Sequence, residues 1–220
     1  MMAGRLAGRK AVVTGAGHGI GKAVARRLAA EGAMVVIAEY DAASGSATAA
    51  EIRRDGGEAL FITTDVSQRE AVMAMMDEAG PVDILVNNAW RSQGIARIEH
   101  KDDAMFAASL AVAFYAAKWT MEAAFAHMKA QGWGRVINLA SLNGVNAHMG
   151  SADYNVAKEA LRSYTRTAAR EWAPFGICCN IVCPAALAES TRRVMAQQPG
   201  MVERIAAANP MGRMGDPDAD

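Results

Sequence analysis

The sequence predicts an α/β protein, a single domain in three layers around a doubly wound parallel sheet. Six short apolar runs alternate with longer amphipathic segments. Most of those runs are nearly continuous in apolar residues, as expected of strands covered on both faces. A glycine-rich turn joins the first run to the first amphipathic segment, the strand–turn–helix context of a mononucleotide-binding unit.

The elements follow in order along the chain. A strand at 10–14 leads through the turn into a helix at 19–31, which Gly32 ends. The strand at 33–38 precedes a helix at 42–55, stopped by Gly56-Gly57, and the strand at 58–63 precedes a helix at 67–79, stopped by Gly80-Pro81. A strand at 82–86 leads to a long helix at 102–130, closed by Gly132. The strand at 135–140 precedes a helix at 153–173 ending at Pro174, and after the strand at 177–182 comes a last helical pattern at 188–208. Glycine and proline are the expected stops because one favours left-handed backbone and the other cannot continue a helix. Strand–helix–strand alternation implies right-handed crossovers and parallel pairing. Repeats, linkers and low-complexity tracts are absent, so residues 1–220 read as one domain.

Composition excludes several function classes. The 23 basic and 23 acidic residues balance, so no charge surplus points to nucleic acid or a membrane surface. No apolar run reaches the length of a membrane span, and the N-terminal stretch lacks a signal-peptide core, so a cytoplasmic protein is expected. Cys178, Cys179 and Cys183 have no Cys-x-x-Cys spacing and read as free strand cysteines, with Cys178 and Cys179 on opposite faces. The histidines at 18, 100, 127 and 148 lack metal-ligand spacing, and no metal site is expected.

The turn Thr14-Gly-Ala-Gly-His-Gly-Ile-Gly21 suits a dinucleotide. Glycines 15, 19 and 21 let the backbone approach a pyrophosphate, and the free amides opening the helix face the anion. A triphosphate-binding loop fails here, because Ala16 and Ala23 stand where that loop needs glycine and Ser/Thr. Glu39 ends the second strand, roughly 20 residues beyond the turn, where a carboxylate accepts from a ribose 2′-hydroxyl and repels a 2′-phosphate. His18 precedes Gly19 where an arginine would favour that phosphate. NAD is therefore expected over NADP.

Tyr154 and Lys158 lie four residues apart on a helical pattern, and Ser141 stands thirteen residues before the tyrosine. A tyrosine of ordinary pKa, about 10, is a poor base near neutrality. A neighbouring ammonium favours its phenolate, and Ser141, at the end of the fifth strand, can hold the substrate oxygen. Tyr-x-x-x-Lys alone also occurs by chance on many helices.

Taken together, these residues resemble the short-chain dehydrogenase/reductases over nearly the whole chain. The resemblance implies a Rossmann fold and hydride transfer between a nicotinamide and a substrate carbon. It assigns Gly15, His18, Gly19, Ile20 and Gly21 to the cofactor turn, Asp65 and Val66 to the adenine, and Asn88, Ala89 and Pro184 to the cofactor's flank. Ser141, Tyr154 and Lys158 match the active-site serine, tyrosine and lysine, the last two also touching the cofactor.

Departures from that pattern are specific. Trp90 replaces the glycine after Asn87-Asn88-Ala89, and Ala185 the glycine after Pro184. The long helix has no asparagine, and Ser109 stands where relatives anchor a relay water. The chain stops at 215–220, where relatives of about 250 residues continue for a helix and a strand, so the sheet is expected to lack its last strand. Either a shortened chain or another element covering the sheet edge would account for that.

Trp90, the loop 142–149 and a lid at 187–214 should build the substrate pocket, with Asn143 and His148 as its polar contacts. Met195, Met201, Met211 and Met214 suit an adaptable apolar lid, although methionine at helical spacing also serves as core. A secondary alcohol or ketone on a mainly apolar alicyclic, steroid-like or acyl skeleton is the expected substrate. The helices at 102–130 and 153–173 are apolar on more than one face, and the resemblance, in which these helices pair across a dimer, implies a homodimer or homotetramer. Two other functions fit the sequence: a catalytically impaired dinucleotide-binding sensor or partner protein, and a lyase or epimerase that retains its NAD.

Overall fold

The structure, a computed structural model, describes residues 4–187, 192 and 200–220. Its strands are β1 (Lys10–Thr14), β2 (Met34–Glu39), β3 (Glu58–Thr63), β4 (Ile84–Asn87), β5 (Gly134–Leu139) and β6 (Ile177–Val182). They form one parallel sheet in the order β3-β2-β1-β4-β5-β6. Strand order reverses between β1 and β4, and ligands of open α/β sheets bind outside the carboxyl ends at such a point. Every strand here delivers its carboxyl end to that same edge.

The helices are α1 (Gly19–Ala30), α2 (Ala42–Arg54), α3 (Arg69–Ala79), α4 (Asp103–Leu110), α5 (Ala116–Gln131), α6 (Leu142–Val145), α7 (Ala152–Trp172) and α8 (Met201–Ala208). Apolar residues alternate along the strands and feed two cores. Ala11, Val13, Val35, Ile37, Ile84 and Val86 pack with Ala25 and Ala29 of α1 and Ala49 and Ile52 of α2. On the opposite face Val12, Val36, Leu85, Val136 and Cys179 pack with Val72 and Met75 of α3, Met121 and Met128 of α5 and Ala168 of α7. The three-layer α/β sandwich is the architecture expected from the sequence.

Three expectations need correction. The helix expected at 102–130 is α4 and α5 joined by a π-helical turn, Ala111–Tyr115. The short α6, within the expected loop 142–149, has no periodic signature in four residues. The stretch Asp103–Gln131 is long and apolar enough, by length and composition alone, to cross a membrane. In this fold its apolar face lies against the sheet, with Met121, Met128 and Thr120 fully buried. Of the helix expected at 188–208, residues 188–191 and 193–199 lie outside the described residues, Met195 among them.

Among the described residues β6 forms the sheet edge on its side, with Cys178, Asn180 and Val182 exposed. Cys178 is exposed and Cys179 buried, as opposite faces require, and all three cysteines are free. The C-terminal stretch turns back to the end of β6. Gly215 bridges Ala186, its amide donating to Ala185 O (2.8 Å) and its carbonyl accepting from Leu187 N (2.8 Å). Asp218 there pairs with Arg26 of α1 at 3.2 Å.

Candidate active site

The turn after β1 is built from close backbone approaches. Gly15 has φ +66°, and a Cβ there would lie 2.7 Å from Ala89 Cα. At Gly21 a Cβ would fall 2.3 Å from Gly15 O. The Asn88 side-chain amide donates to Thr14 O (3.0 Å) and Gly15 O (2.9 Å), while Thr14 Oγ1 accepts from the amides of Asn88 (3.0 Å) and Ala89 (3.1 Å). These bonds lock the ends of β1 and β4 together across the crevice. His18 is the exposed N-cap of α1 and makes no side-chain capping bond, and no acidic residue occupies the first turn. The amides of Gly19, Ile20 and Gly21 therefore face outward at the positive end of the helix. Side-chain-free glycines and unclaimed helix-start amides fit a dinucleotide pyrophosphate.

Gly17 is part of this turn for a reason the motif does not advertise. Its amide donates to Glu39 Oε2 (2.9 Å), its carbonyl accepts from Thr48 Oγ1 (3.3 Å), and a Cβ there would strike Ser44 Oγ at 2.3 Å. Glu39 Oε1 accepts from the amides of Tyr40 (2.8 Å) and Asp41 (3.2 Å). Glu39 is thus a strut that joins the glycine turn to the end of β2, besides presenting a carboxylate at the sheet edge. Asp65 Oδ1 holds the amide (3.0 Å) and hydroxyl (2.7 Å) of Ser67, and Val66 is buried behind it. Both stand at the carboxyl edge of β3, beside the turn.

Ser141, Tyr154 and Lys158 come together at the same edge. Ser141 caps α6, its Oγ accepting from Asn143 N (3.1 Å). Burial pushes the Tyr154 phenol above its ordinary pKa, and a hydrogen bond with Ser141 pulls in the opposite direction. Burial lowers the Lys158 ammonium to about 8. Lys158 Nζ donates to Leu139 O (2.6 Å), so in this arrangement it serves the end of β5 rather than the phenol oxygen. Its charge lies 5.9 Å from the Tyr154 ring centre and 5.7 Å from that of Trp90. Trp90 meets Tyr154 edge to face, with ring centres 4.6 Å apart. Burial raises the Cys183 thiol pKa above its ordinary value.

Of the other expected contacts, Asn143 is half-buried in α6, and His148 is exposed on the following turn. Ala147 between them has φ +51°, a left-handed backbone at a non-glycine residue. Pro184 is exposed just after β6. Within the lid expected at 187–214, Met211 is exposed and Met214 half-buried. Among the described residues no His/Cys/Asp/Glu group could hold a metal.

Sequence reading missed two buried polar systems. Asn87 Nδ2 donates to Asn138 Oδ1 (2.8 Å), Thr120 Oγ1 donates to Asn87 Oδ1 (2.8 Å), and Asn138 Nδ2 donates to Thr165 Oγ1 (2.8 Å). This network joins β4, β5, α5 and α7 beneath the site. The second joins Ser109, Lys101 and Asp153. Ser109 Oγ donates to Asp153 Oδ2 (2.6 Å), and Lys101 Nζ lies 2.8 Å from Oδ1, an ion pair by distance rather than an aligned hydrogen bond. Burial opposes the ionised form of Asp153, but Lys101, Ser109 and the Tyr154 amide outweigh it and hold its pKa below the ordinary value. The π-helical turn follows Ser109 by two residues, and such turns recur at functional sites.

Comparison with known proteins agrees with this geometry. The family model for short chain dehydrogenases matches residues 9–201. A galactitol 2-dehydrogenase (L-tagatose-forming) of Cereibacter sphaeroides is 36% identical, the match covering 97% of this chain and 85% of the relative. The cis-4-hydroxycyclohexanecarboxylate dehydrogenase of Sinomonas cyclohexanicum is also 36% identical, over 96% of this chain and 85% of its own. Among solved structures, a gluconate 5-dehydrogenase from Burkholderia cenocepacia in complex with NADP and tartrate superposes with a TM-score of 0.89. It is 31% identical and covers 97% of this chain and 85% of its own. An NAD+-bound xylitol dehydrogenase gives a TM-score of 0.88 at 29% identity, over 97% of this chain and 89% of its own. With the glycine turn, the crevice and the serine, tyrosine and lysine in one place, the chain belongs to the short-chain dehydrogenase/reductase family of oxidoreductases, whose members bind NAD(P).

Proposed function

We propose that the chain interconverts a secondary alcohol and a ketone with NAD(H), using Tyr154 as the acid/base. The observation that carries this reading is the convergence of Ser141, Tyr154 and Lys158 beside the β1–β4 crevice. A bound nicotinamide supplies a hydride acceptor or donor. In oxidation Tyr154 takes the hydroxyl proton as phenolate, a form that burial disfavours and that the nearby Lys158 charge must favour, and in reduction it returns that proton to the carbonyl oxygen. Ser141 holds the same oxygen, its hydroxyl oriented by the Asn143 amide. Lys158 supplies a positive charge in a water-excluded position, where a charge weighs more than in solvent. Glycines 15, 19 and 21 with Ile20 and His18 hold the pyrophosphate, Asp65 and Val66 flank the adenine, and Asn88, Ala89 and Pro184 border the remainder.

Support for NAD over NADP comes from Glu39 at the end of β2, since a carboxylate there would repel a 2′-phosphate. Trp90, Asn143 and His148 bound the substrate side, together with the exposed apolar side chains of Leu142 and Met149. Their character suits an alicyclic or otherwise apolar skeleton, as in the relative named for a hydroxycyclohexanecarboxylate. One observation favours the sensor reading, the packing of Trp90 directly on the Tyr154 ring.

The test is nicotinamide absorbance with cyclic, steroid, β-hydroxyacyl and polyol alcohols, each with both cofactors. Turnover with NAD ahead in kcat/KM is expected. NADP ahead by about tenfold, or 1.4 kcal/mol, would overturn the cofactor preference. Dinucleotide binding without turnover on any alcohol would favour the sensor.

A further inference from the structure

Asp153 is only 2% exposed and stands one residue before Tyr154, yet it carries a charge. Its partners come from separate segments. Lys101, whose side chain is 0% exposed, brings its ammonium from the stretch preceding α4. Ser109 donates from α4, and Asp153 itself lies in the first turn of α7, directly before Tyr154. Lys101 Nζ also donates to Gly94 O (2.6 Å), and the Ala96 amide donates to Gly150 O (3.1 Å). With Trp90 packed on the Tyr154 ring, the stretch 90–101 is fastened to the start of α7 at Trp90, Ala96 and Lys101.

Stability alone does not account for such a pair. Desolvation of two buried charges offsets most of their attraction, and apolar residues of similar volume hold a fold as well or better. A buried pair with several fixed partners specifies one arrangement, because each alternative strands a charge or a donor. Here the fixed residue immediately precedes the one that bears the phenol, in the same helical turn. We propose that Lys101 and Asp153 form a buried ionic clamp that positions Tyr154 and holds the 91–100 stretch beside it. Both are positioning residues, acting through Tyr154 and Trp90, and the proposal rests on the reading of Tyr154 as the acid/base.

Two measurements test the clamp. The double variant Lys101→Met/Asp153→Leu removes both charges and leaves neither stranded. Its melting temperature should stay within about 5 °C of the parent, and its dinucleotide Kd within about threefold. Its kcat should fall at least about tenfold through misplacement of the phenol. A merely structural pair would shift melting and leave kcat within about twofold, and that result would overturn the proposal. The second measurement, amide hydrogen exchange of the parent, requires no variant. The Ala96 amide should exchange with the protection of the Asn155 amide, which donates to Ser151 O in the first turn of α7, since the clamp makes them open together. Free exchange at Ala96 over a protected α7 start would overturn it even if the double variant does not fold. A parent without turnover but with coupled exchange would count against the role of Tyr154, not against the clamp.

Discussion

At the scale of single residues, the candidate site holds a buried ammonium at a cost in stability. Lys158 is buried with its ammonium lowered from 10.5 to about 8. The unfolded chain therefore binds more protons than the folded one between about pH 8 and 10.5, and in that window stability rises with pH. Against Lys158→Met, the parent should gain about 3 kcal/mol as pH climbs through that window, with the difference flat below pH 8. Urea denaturation of both proteins across the range checks this, and a difference independent of pH would show that Lys158 is not strained by burial. That Lys158 and Tyr154 share a helix face was legible from a spacing of four, and the Lys158 charge lies 5.9 Å from the Tyr154 ring centre. The present partner of Lys158, Leu139 O, was not legible, because β5 and α7 meet only after the sheet has formed. Glu39 shows the same limit. Its position at the end of β2 could be read, but its grip on Gly17 depends on the turn and β2 folding side by side.

At the scale of elements, periodicity located most strands and helices to within two residues, because apolar runs and glycine stops act locally. The π-helical turn at Ala111–Tyr115 escaped, since one extra residue per turn leaves no trace in the amphipathic pattern. The Asn87–Asn138–Thr120–Thr165 network escaped as well, because its members lie far apart in sequence and read singly as ordinary polar residues. The glycine turn was the most legible element, since its chemistry requires an absence of side chains. Gly15→Ala places a methyl group 2.7 Å from Ala89 Cα on left-handed backbone. The variant should lose about 1–2 kcal/mol from backbone strain alone and bind dinucleotide more weakly. Fluorescence titration with NADH and urea denaturation would detect the two effects, and unchanged dinucleotide affinity would remove Gly15 from the cofactor site.

At the scale of the whole molecule, parallel order brings the ends of six strands to one edge, where the turn, the crevice and the side chains of Ser141, Tyr154 and Lys158 meet. We propose that the chain self-associates as a homodimer or homotetramer through α7 and the helical stretch of the π-turn and α5, where Val156 and Tyr115 remain exposed. The outer face of α7 also presents Ser163, Arg166, Thr167 and Arg170, so that contact would include a polar border. Sedimentation equilibrium should give a mass above the monomer's 23.2 kDa, and a monomer mass at all concentrations would contradict it. The central claim is narrower, that the Tyr154 hydroxyl moves the substrate proton, and Tyr154→Phe removes that oxygen while keeping the ring against Trp90. Nicotinamide absorbance with the best alcohol should show kcat reduced by about 10²–10⁴-fold, with NADH binding retained. Turnover within a few-fold of the parent would contradict it.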